Sequence, residues 1–188
     1  MQIYHIIAIR KEVSNIVPVI AGLIHSRKNK TMKITLLLIG KTADKYLEEG
    51  ISKYEGRLKH YISFRIEIIP ELKNTKSLSE KQQKEKEAEL ILKHLAPQDF
   101  LVLLDERGKQ LSSIELSGFF QKSMLSSVPN VVFLVGGPYG VDESVSKRAN
   151  TVLSLSKMTF SHQMIRLFIA EQVYRAFTIL KNEPYHHE

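Results

Sequence analysis

The residues that could do chemistry gather in the last third of the 188-residue chain. Gly136-Gly137-Pro138-Tyr139-Gly140 follows an apolar run. Glycines at such a place let backbone amides come close to a ligand. The pattern is not a dinucleotide fingerprint, and no Gly-Lys-Ser/Thr follows to make a P-loop. Taken alone, Gly136-Gly137 reads first as a tight turn. Ser154, Ser156 and His162 are the residue types of a serine hydrolase, but the Gly-x-Ser-x-Gly elbow is missing. His162, His186 and His187 lack the helical spacing of a metal site. Glu171 and Arg175 stand four residues apart and read as a surface ion pair. Tyr185-His186-His187 would ordinarily be a frayed terminus. The charge run from Lys81 to Glu89 reads as a solvated helix face.

The elements that must position these residues alternate in type from Met32 onward. Ile34 to Ile39 is continuously apolar, as in a strand buried on both faces, and Gly40 ends it. Leu47, Ile51, Tyr54 and Leu58 mark one helix face. Phe64, Ile66 and Ile68 alternate in a second strand that Pro70 stops. Ser79 and Gln82 form a capping box for a helix over 81–95, which touches the core through Ala88, Ile91, Leu92 and Leu95. Phe100 to Leu104 is a third strand, followed by the polar turn Asp105 to Gly108. Ile114 to Leu125 is helical, and Val131 to Val135 is a fourth strand. A short helix over 142–149, a fifth strand or strand end over 152–156 and a last helix through Ile165, Phe168, Ile169, Val173, Ala176 and Leu180 follow, before a non-helical tail over 184–188. This alternation predicts an α/β layer fold, with a mainly parallel sheet and helices on both faces. Ligands of such sheets bind beyond the C-terminal ends of strands. The turns at 105–108, 136–140 and 156–163 all qualify.

Composition narrows the function classes. Hydrophobic residues make up 43% and charged residues 25%, the range of an ordinary globular domain. The absence of cysteine removes thiol catalysis, disulfide scaffolds and Cys-zinc sites, and fits a reducing compartment. The apolar run from Ile16 to Ile24 is too short to span a bilayer. The net charge is +7. Residues 1–31 hold Arg10, Lys11, Arg27, Lys28 and Lys30 against Glu12 alone, a net +4, leaving +3 for residues 32–188. Met32-Lys33 opens a strand cleanly. Residues 1–31 are therefore expected to be an upstream extension, with a basic nucleic-acid-binding arm or a short packed helix as alternatives.

Three ordered motifs carry a resemblance. Val131-Val132-Phe133-Leu134-Val135-Gly136-Gly137-Pro138-Tyr139-Gly140 resembles the glycine turn of the RlmH-type ribosomal RNA methyltransferases of the SPOUT class. Leu153-Ser154-Leu155-Ser156-Lys157-Met158-Thr159-Phe160-Ser161-His162-Gln163 resembles their second signature. Arg166, Glu171-Gln172-Val173-Tyr174-Arg175-Ala176 and Pro184-Tyr185-His186 are similar to a third. Met32-Lys33-Ile34-Thr35 fits the family's N-terminus, and the resemblance covers residues 32–188. One departure is His187, which stands where Arg is common.

The resemblance implies a C-terminal trefoil knot, S-adenosylmethionine as cofactor, a homodimer, and a cytoplasmic enzyme without metal or membrane. It implies methylation of N3 of a pseudouridine in 23S ribosomal RNA on assembled ribosomes. Leu104, Gly136, Leu155, Ser156, Lys157, Met158, Thr159 and Phe160 are the implied cofactor-binding residues. Removal of the N3 proton calls for a general base or a cationic stabiliser. His186 is the candidate base, Arg166, Arg175 and Lys157 are candidate stabilisers, and Tyr185 is placed to stack on the flipped base. The modest +3 predicts weak binding to naked RNA and a preference for folded particles. The rival readings are a non-enzymatic RNA-binding or ribosome-assembly factor, and a small-molecule enzyme that takes a nucleotide at the same strand ends.

Overall fold

The structure is a computed structural model that describes residues 32–186. The expected extension over 1–31, and His187, lie outside the described residues. Five strands form one parallel sheet: β1 (Lys33–Ile39), β2 (Ser63–Ile69), β3 (Phe100–Gln110), β4 (Asn130–Val135) and β5 (Thr151–Ser154), in the order β2-β1-β4-β3-β5. The central strands β1 and β4 are buried almost throughout, which is why they read as unbroken apolar runs. The helices are α1 (Lys45–Leu58), α2 (Glu80–His94), α3 (Ser113–Leu125), α4 (Glu143–Arg148) and α5 (Met164–Leu180).

Strand alternation divides the core in two. Ile34, Leu36, Leu38 and Phe133 face Leu58, Phe120, Ile169 and Val173 of α1, α3 and α5. Leu37, Ile39, Leu101 and Leu134 face Ala88, Ile91 and Val145 of α2 and α4. Each fully buried Leu or Phe contributes about 1.5–3 kcal/mol of transfer free energy, so both faces hold the helices in place. Helix starts follow from local chemistry. Ser79 and Gln82 cap α2 reciprocally, and Ser112 and Glu115 do the same for α3. The Asp142 side chain accepts from Ser144 N at the start of α4.

Three local expectations are corrected. In β2 the alternation breaks: Ile68 is exposed, whereas Ile69 is buried with Ala88 and Ile91. β2 is an edge strand, so its residues have a sheet neighbour on one side only. The turn expected at 105–108 is a bulge within β3: Leu104 and Lys109 both pair with Leu153, so residues 105–108 have no ladder partners, and β3 resumes at Lys109 and Gln110. Lys109 and Gln110 pair with Leu153 and Ser154, so the ladder closes the bulge on its far side and leaves the polar residues 105–108 protruding from the sheet. The fifth strand stops at Ser154, which leaves Leu155 and Ser156 in the following loop.

Candidate active site

A cavity of about 280 Å³ opens beyond the C-terminal ends of β4 and β5 and at the bulge of β3, close to the lower end of ligand pockets. Leu103 to Glu106, Val135 to Pro138, Gly140, Val141, Leu153 to Ser156 and Met158 to His162 line it, with Ile165. The β3 bulge supplies one wall. A Cβ on Gly108 would lie 2.6 Å from the Leu153 backbone carbonyl carbon, so only glycine lets the bulge pair this closely with β5.

The glycine turn supplies a second wall. Gly140 N donates to Gly137 O at 3.0 Å, and Gly140 takes φ +78°, the left-handed region that favours glycine. A Cβ on Gly136 would meet Val141 Cγ1 at 2.9 Å. The bare backbone there makes room for the turn to fold onto itself. Behind the turn sits Glu87 of α2, 6% exposed, with Oε2 2.8 Å from where a Gly137 Cβ would stand. The helical periodicity gave no sign of this buried carboxylate, because it lies within a run that is otherwise solvated.

The loop after β5 closes the cavity through its own polar groups. Ser154 Oγ donates to Ser156 O at 2.7 Å, and Met158 N donates to Ser156 Oγ at 2.9 Å. Thr159 Oγ1 reaches across the mouth and donates to Glu106 Oε2 at 2.8 Å. Phe160 packs on Phe168 of α5 with ring centroids 4.7 Å apart. Leu104, Gly136, Leu155, Ser156, Met158, Thr159 and Phe160 all line this cavity, whereas Lys157 is not part of the lining. Asp105, Glu106 and Val141 were not singled out in the sequence, although the 105–108 segment was marked as a strand-end candidate.

Among the described residues, none of those lining the cavity is Lys or Arg. Arg107 grips Asp105 through two bonds of 2.9 Å and holds its carboxyl below the usual carboxylate range. Burial, then the charge of Arg166, pushes the His162 imidazole down, so it is neutral at pH 7.

Arg166 lies apart from the cavity lining and is fully buried. Its guanidinium donates to Ile39 O at 2.8 Å, Gly40 O at 3.1 Å, Thr42 Oγ1 at 3.3 Å and His162 O at 3.0 Å. Burial pushes its pKa down, and the Glu71 carboxylate opposes that. The expected stabiliser of a substrate anion is therefore committed to carbonyls that tie the end of β1 to the start of α5.

The C-terminal tail is docked on α5, unlike a frayed end. Tyr185 Oη donates to Glu171 Oε1 at 3.1 Å, with Tyr54 Oη at 3.4 Å. The Arg175 guanidinium lies 4.7 Å from the Tyr185 ring centroid and donates to Glu171 Oε1 at 2.5 Å. Glu171 and Arg175 are mostly buried, at 17% and 26% side-chain exposure, so the pair is more than a surface ornament. Burial, with the Tyr54 bond, pushes the Tyr185 phenol up, which keeps its proton available for donation. Arg175 stands ten residues beyond Ile165 on α5, about 15 Å along a helix that rises 1.5 Å per residue. Within one chain the tail cluster and the cavity therefore occupy different stretches of α5.

Among the described residues no His, Asp or Glu group is arranged to hold a metal. No described helix is long and apolar enough to cross a membrane.

Comparison with known proteins places this geometry. Three curated relatives are each named ribosomal RNA large subunit methyltransferase H. That of Parabacteroides distasonis is 60% identical over 84% of this chain and 100% of its own length. That of Christiangramia forsetii is 60% identical over 83% of this chain and 99% of its own. That of Flavobacterium johnsoniae is 57% identical over 84% and 100%. The family described as "Predicted SPOUT methyltransferase" matches residues 32–186, which contain the bulge, the glycine turn, the closing loop and the docked tail. The chain belongs to the SPOUT methyltransferase family, and with it to the knotted α/β fold.

Proposed function

We propose that this chain is a ribosomal RNA methyltransferase that uses S-adenosylmethionine and methylates N3 of a pseudouridine in 23S ribosomal RNA. It acts on assembled ribosomes, as a homodimer, in the cytoplasm. The observation that carries the reading is the cavity built where β4 and β5 end and β3 bulges, enclosed by the segments that carry the family resemblance. Residues 32–188 are proposed as the methyltransferase domain, with residues 1–31 as an N-terminal extension outside it.

The residues present fit the cofactor. Leu104, Leu155, Met158 and Phe160 offer apolar surface for an adenine ring, and the 136–140 turn offers backbone. Ser156, Thr159 and Gly136 hold the enclosing backbone in shape. Lys157, outside the lining, is left to face the RNA. When bound, S-adenosylmethionine supplies an electrophilic methyl group for transfer to a nitrogen nucleophile.

The chain's own residues prepare the base. His186 takes the N3 proton, Arg175 stabilises the resulting negative charge, and Tyr185 stacks on the base. Arg166 acts as a positioning residue that fixes the loop before α5. The separation of tail and cavity along α5 supports a site completed by a second copy, in which one chain's tail meets its partner's cavity. The lack of basic lining disfavours a nucleotide phosphate in the cavity, which counts against the small-molecule reading.

The deciding experiment offers labelled S-adenosylmethionine to ribosomes lacking the modification, and separately to free rRNA. Label in large-subunit rRNA, identified as N3-methylpseudouridine after digestion to nucleosides, is the expected result. No transfer, together with no cofactor binding by calorimetry, would overturn the reading in favour of a non-enzymatic ribosome-assembly factor. Equal labelling of both substrates would overturn the ribosome preference alone.

A further inference from the structure

The cavity carries a charge that fold and family leave unexplained. Its titratable lining consists of Asp105, Glu106 and His162. Asp105 is matched by the bidentate grip of Arg107. His162 is held neutral by burial and by the charge of Arg166. Glu106 accepts from Thr159 Oγ1 at 2.8 Å and feels the charge of Arg107, whose guanidinium is bonded to Asp105. Among the described residues the lining holds no Lys or Arg, and Asp105, Glu106 and Arg107 together leave one net negative charge at the mouth.

We infer that Glu106 is a specificity-determining residue: its carboxylate makes the cavity prefer the cationic methyl donor over the uncharged thioether left after transfer. This rests on the methyl-donor reading above. The two ligands share adenosine and the amino-acid end, and differ by one methyl group and one positive charge. An apolar wall or a backbone amide cannot distinguish them strongly, because both present the same surface to it. A carboxylate can, since it attracts the sulfonium and gains nothing comparable from the neutral sulfur. Loss of the methyl group then removes an attraction, which favours release of the product. Because Glu106 is solvent-exposed, the effect is the size of an exposed ion pair, about fivefold in affinity.

Thr159 makes the inference separable from loop closure. In Glu106→Gln, the side-chain carbonyl still accepts from Thr159, so the latch stays while the charge goes. In Thr159→Val, the latch goes while the charge stays.

The test is calorimetric binding of three probes to full-length wild type, Glu106→Gln and Thr159→Val. The probes are S-adenosylmethionine, S-adenosylhomocysteine, and sinefungin, whose protonated amine stands in for the sulfonium. In Glu106→Gln the two cationic probes are expected to weaken about fivefold while S-adenosylhomocysteine holds. In Thr159→Val all three are expected to weaken together. The wild-type preference should shrink between 0.1 M and 1 M salt as the Debye length falls from about 10 Å to 3 Å, and the Gln variant should show no such change. Equal weakening of all three probes in Glu106→Gln would overturn the inference and assign Glu106 to a shared group such as the ribose. Unchanged affinities would overturn it too. Failure of wild type to bind any probe would instead overturn the methyl-donor reading on which it rests.

Discussion

Arg166 Nη2 donates to the carbonyl oxygen of Ile39 at 2.8 Å, joining the last residue of β1 to the first turn of α5. Those two residues are 127 positions apart in sequence. The same guanidinium holds Gly40 O and His162 O, so one side chain ties the loop that closes the cavity to the end of β1. Carbonyls at a strand end lack ladder partners, and an arginine fork can satisfy several at once.

Arg166→Met should therefore leave buried carbonyls unsatisfied. The expected loss is about 3–5 kcal/mol of stability, read from urea unfolding midpoints. Arg166→Lys should recover only part, since an ammonium lacks the fork. A loss below about 1 kcal/mol for the Met variant would show that the anchor is dispensable.

Gly137→Ala places a methyl 2.8 Å from Glu87 Oε2 and should destabilise by about 1–3 kcal/mol. The obstacle is a side chain, so Glu87→Ala should relieve it. A double-mutant cycle is expected to give a favourable coupling of about 1 kcal/mol or more. Strict additivity would mean the carboxylate simply moves aside.

Gly108→Ala meets backbone at 2.6 Å, where no side chain can yield. The bulge must then detach from β5, opening the wall of the cavity. Calorimetry should show a loss of S-adenosylmethionine affinity of tenfold or more. Thermal melting should show a larger drop than for Gly137→Ala. Retained affinity would place the bulge outside the binding surface.

Stability should depend on pH through His162. Its native pKa lies below the unfolded value of about 6.5, so the unfolded chain binds the proton more readily. Stability from this group is full above about pH 6.5 and falls as the pH drops below it. Melting temperature from pH 7 to pH 5 should fall more steeply for wild type than for His162→Gln. Parallel curves would assign the acid sensitivity elsewhere. Asp105, whose native pKa is depressed by Arg107, acts in a lower window, with its contribution lost as pH falls below about 4.

Tyr185→Phe removes the donor to Glu171 but keeps the ring under Arg175. About 1 kcal/mol of stability should go with the hydrogen bond. Methyl transfer to ribosomes should fall while cofactor affinity stays within twofold, since the tail and the cavity lie on different stretches of α5. Undiminished transfer would remove the hydroxyl from the mechanism.

Sequence alone determined what depends on neighbours in the chain. Apolar runs such as Ile34 to Ile39 specify strands buried on both faces, because every residue of a central parallel strand meets a helix layer. The capping box at Ser79 and Gln82 fixes the start of α2 with two local hydrogen bonds. The glycine turn and the 155–160 loop were legible through motif resemblance, since their spacing is local. Tertiary structure decided the rest, because it depends on which distant groups meet. Pairing of both Leu104 and Lys109 with Leu153 looped out the polar 105–108 segment as a bulge and brought Glu106 to the cavity mouth. Closure over the strand ends buried Glu87 within a charged run, and carbonyls 127 positions away claimed Arg166 for the scaffold. The docking of Tyr185 on α5 belongs to the same class. A residue's type shows what it can donate or accept, and only the folded chain settles which partner it finds there.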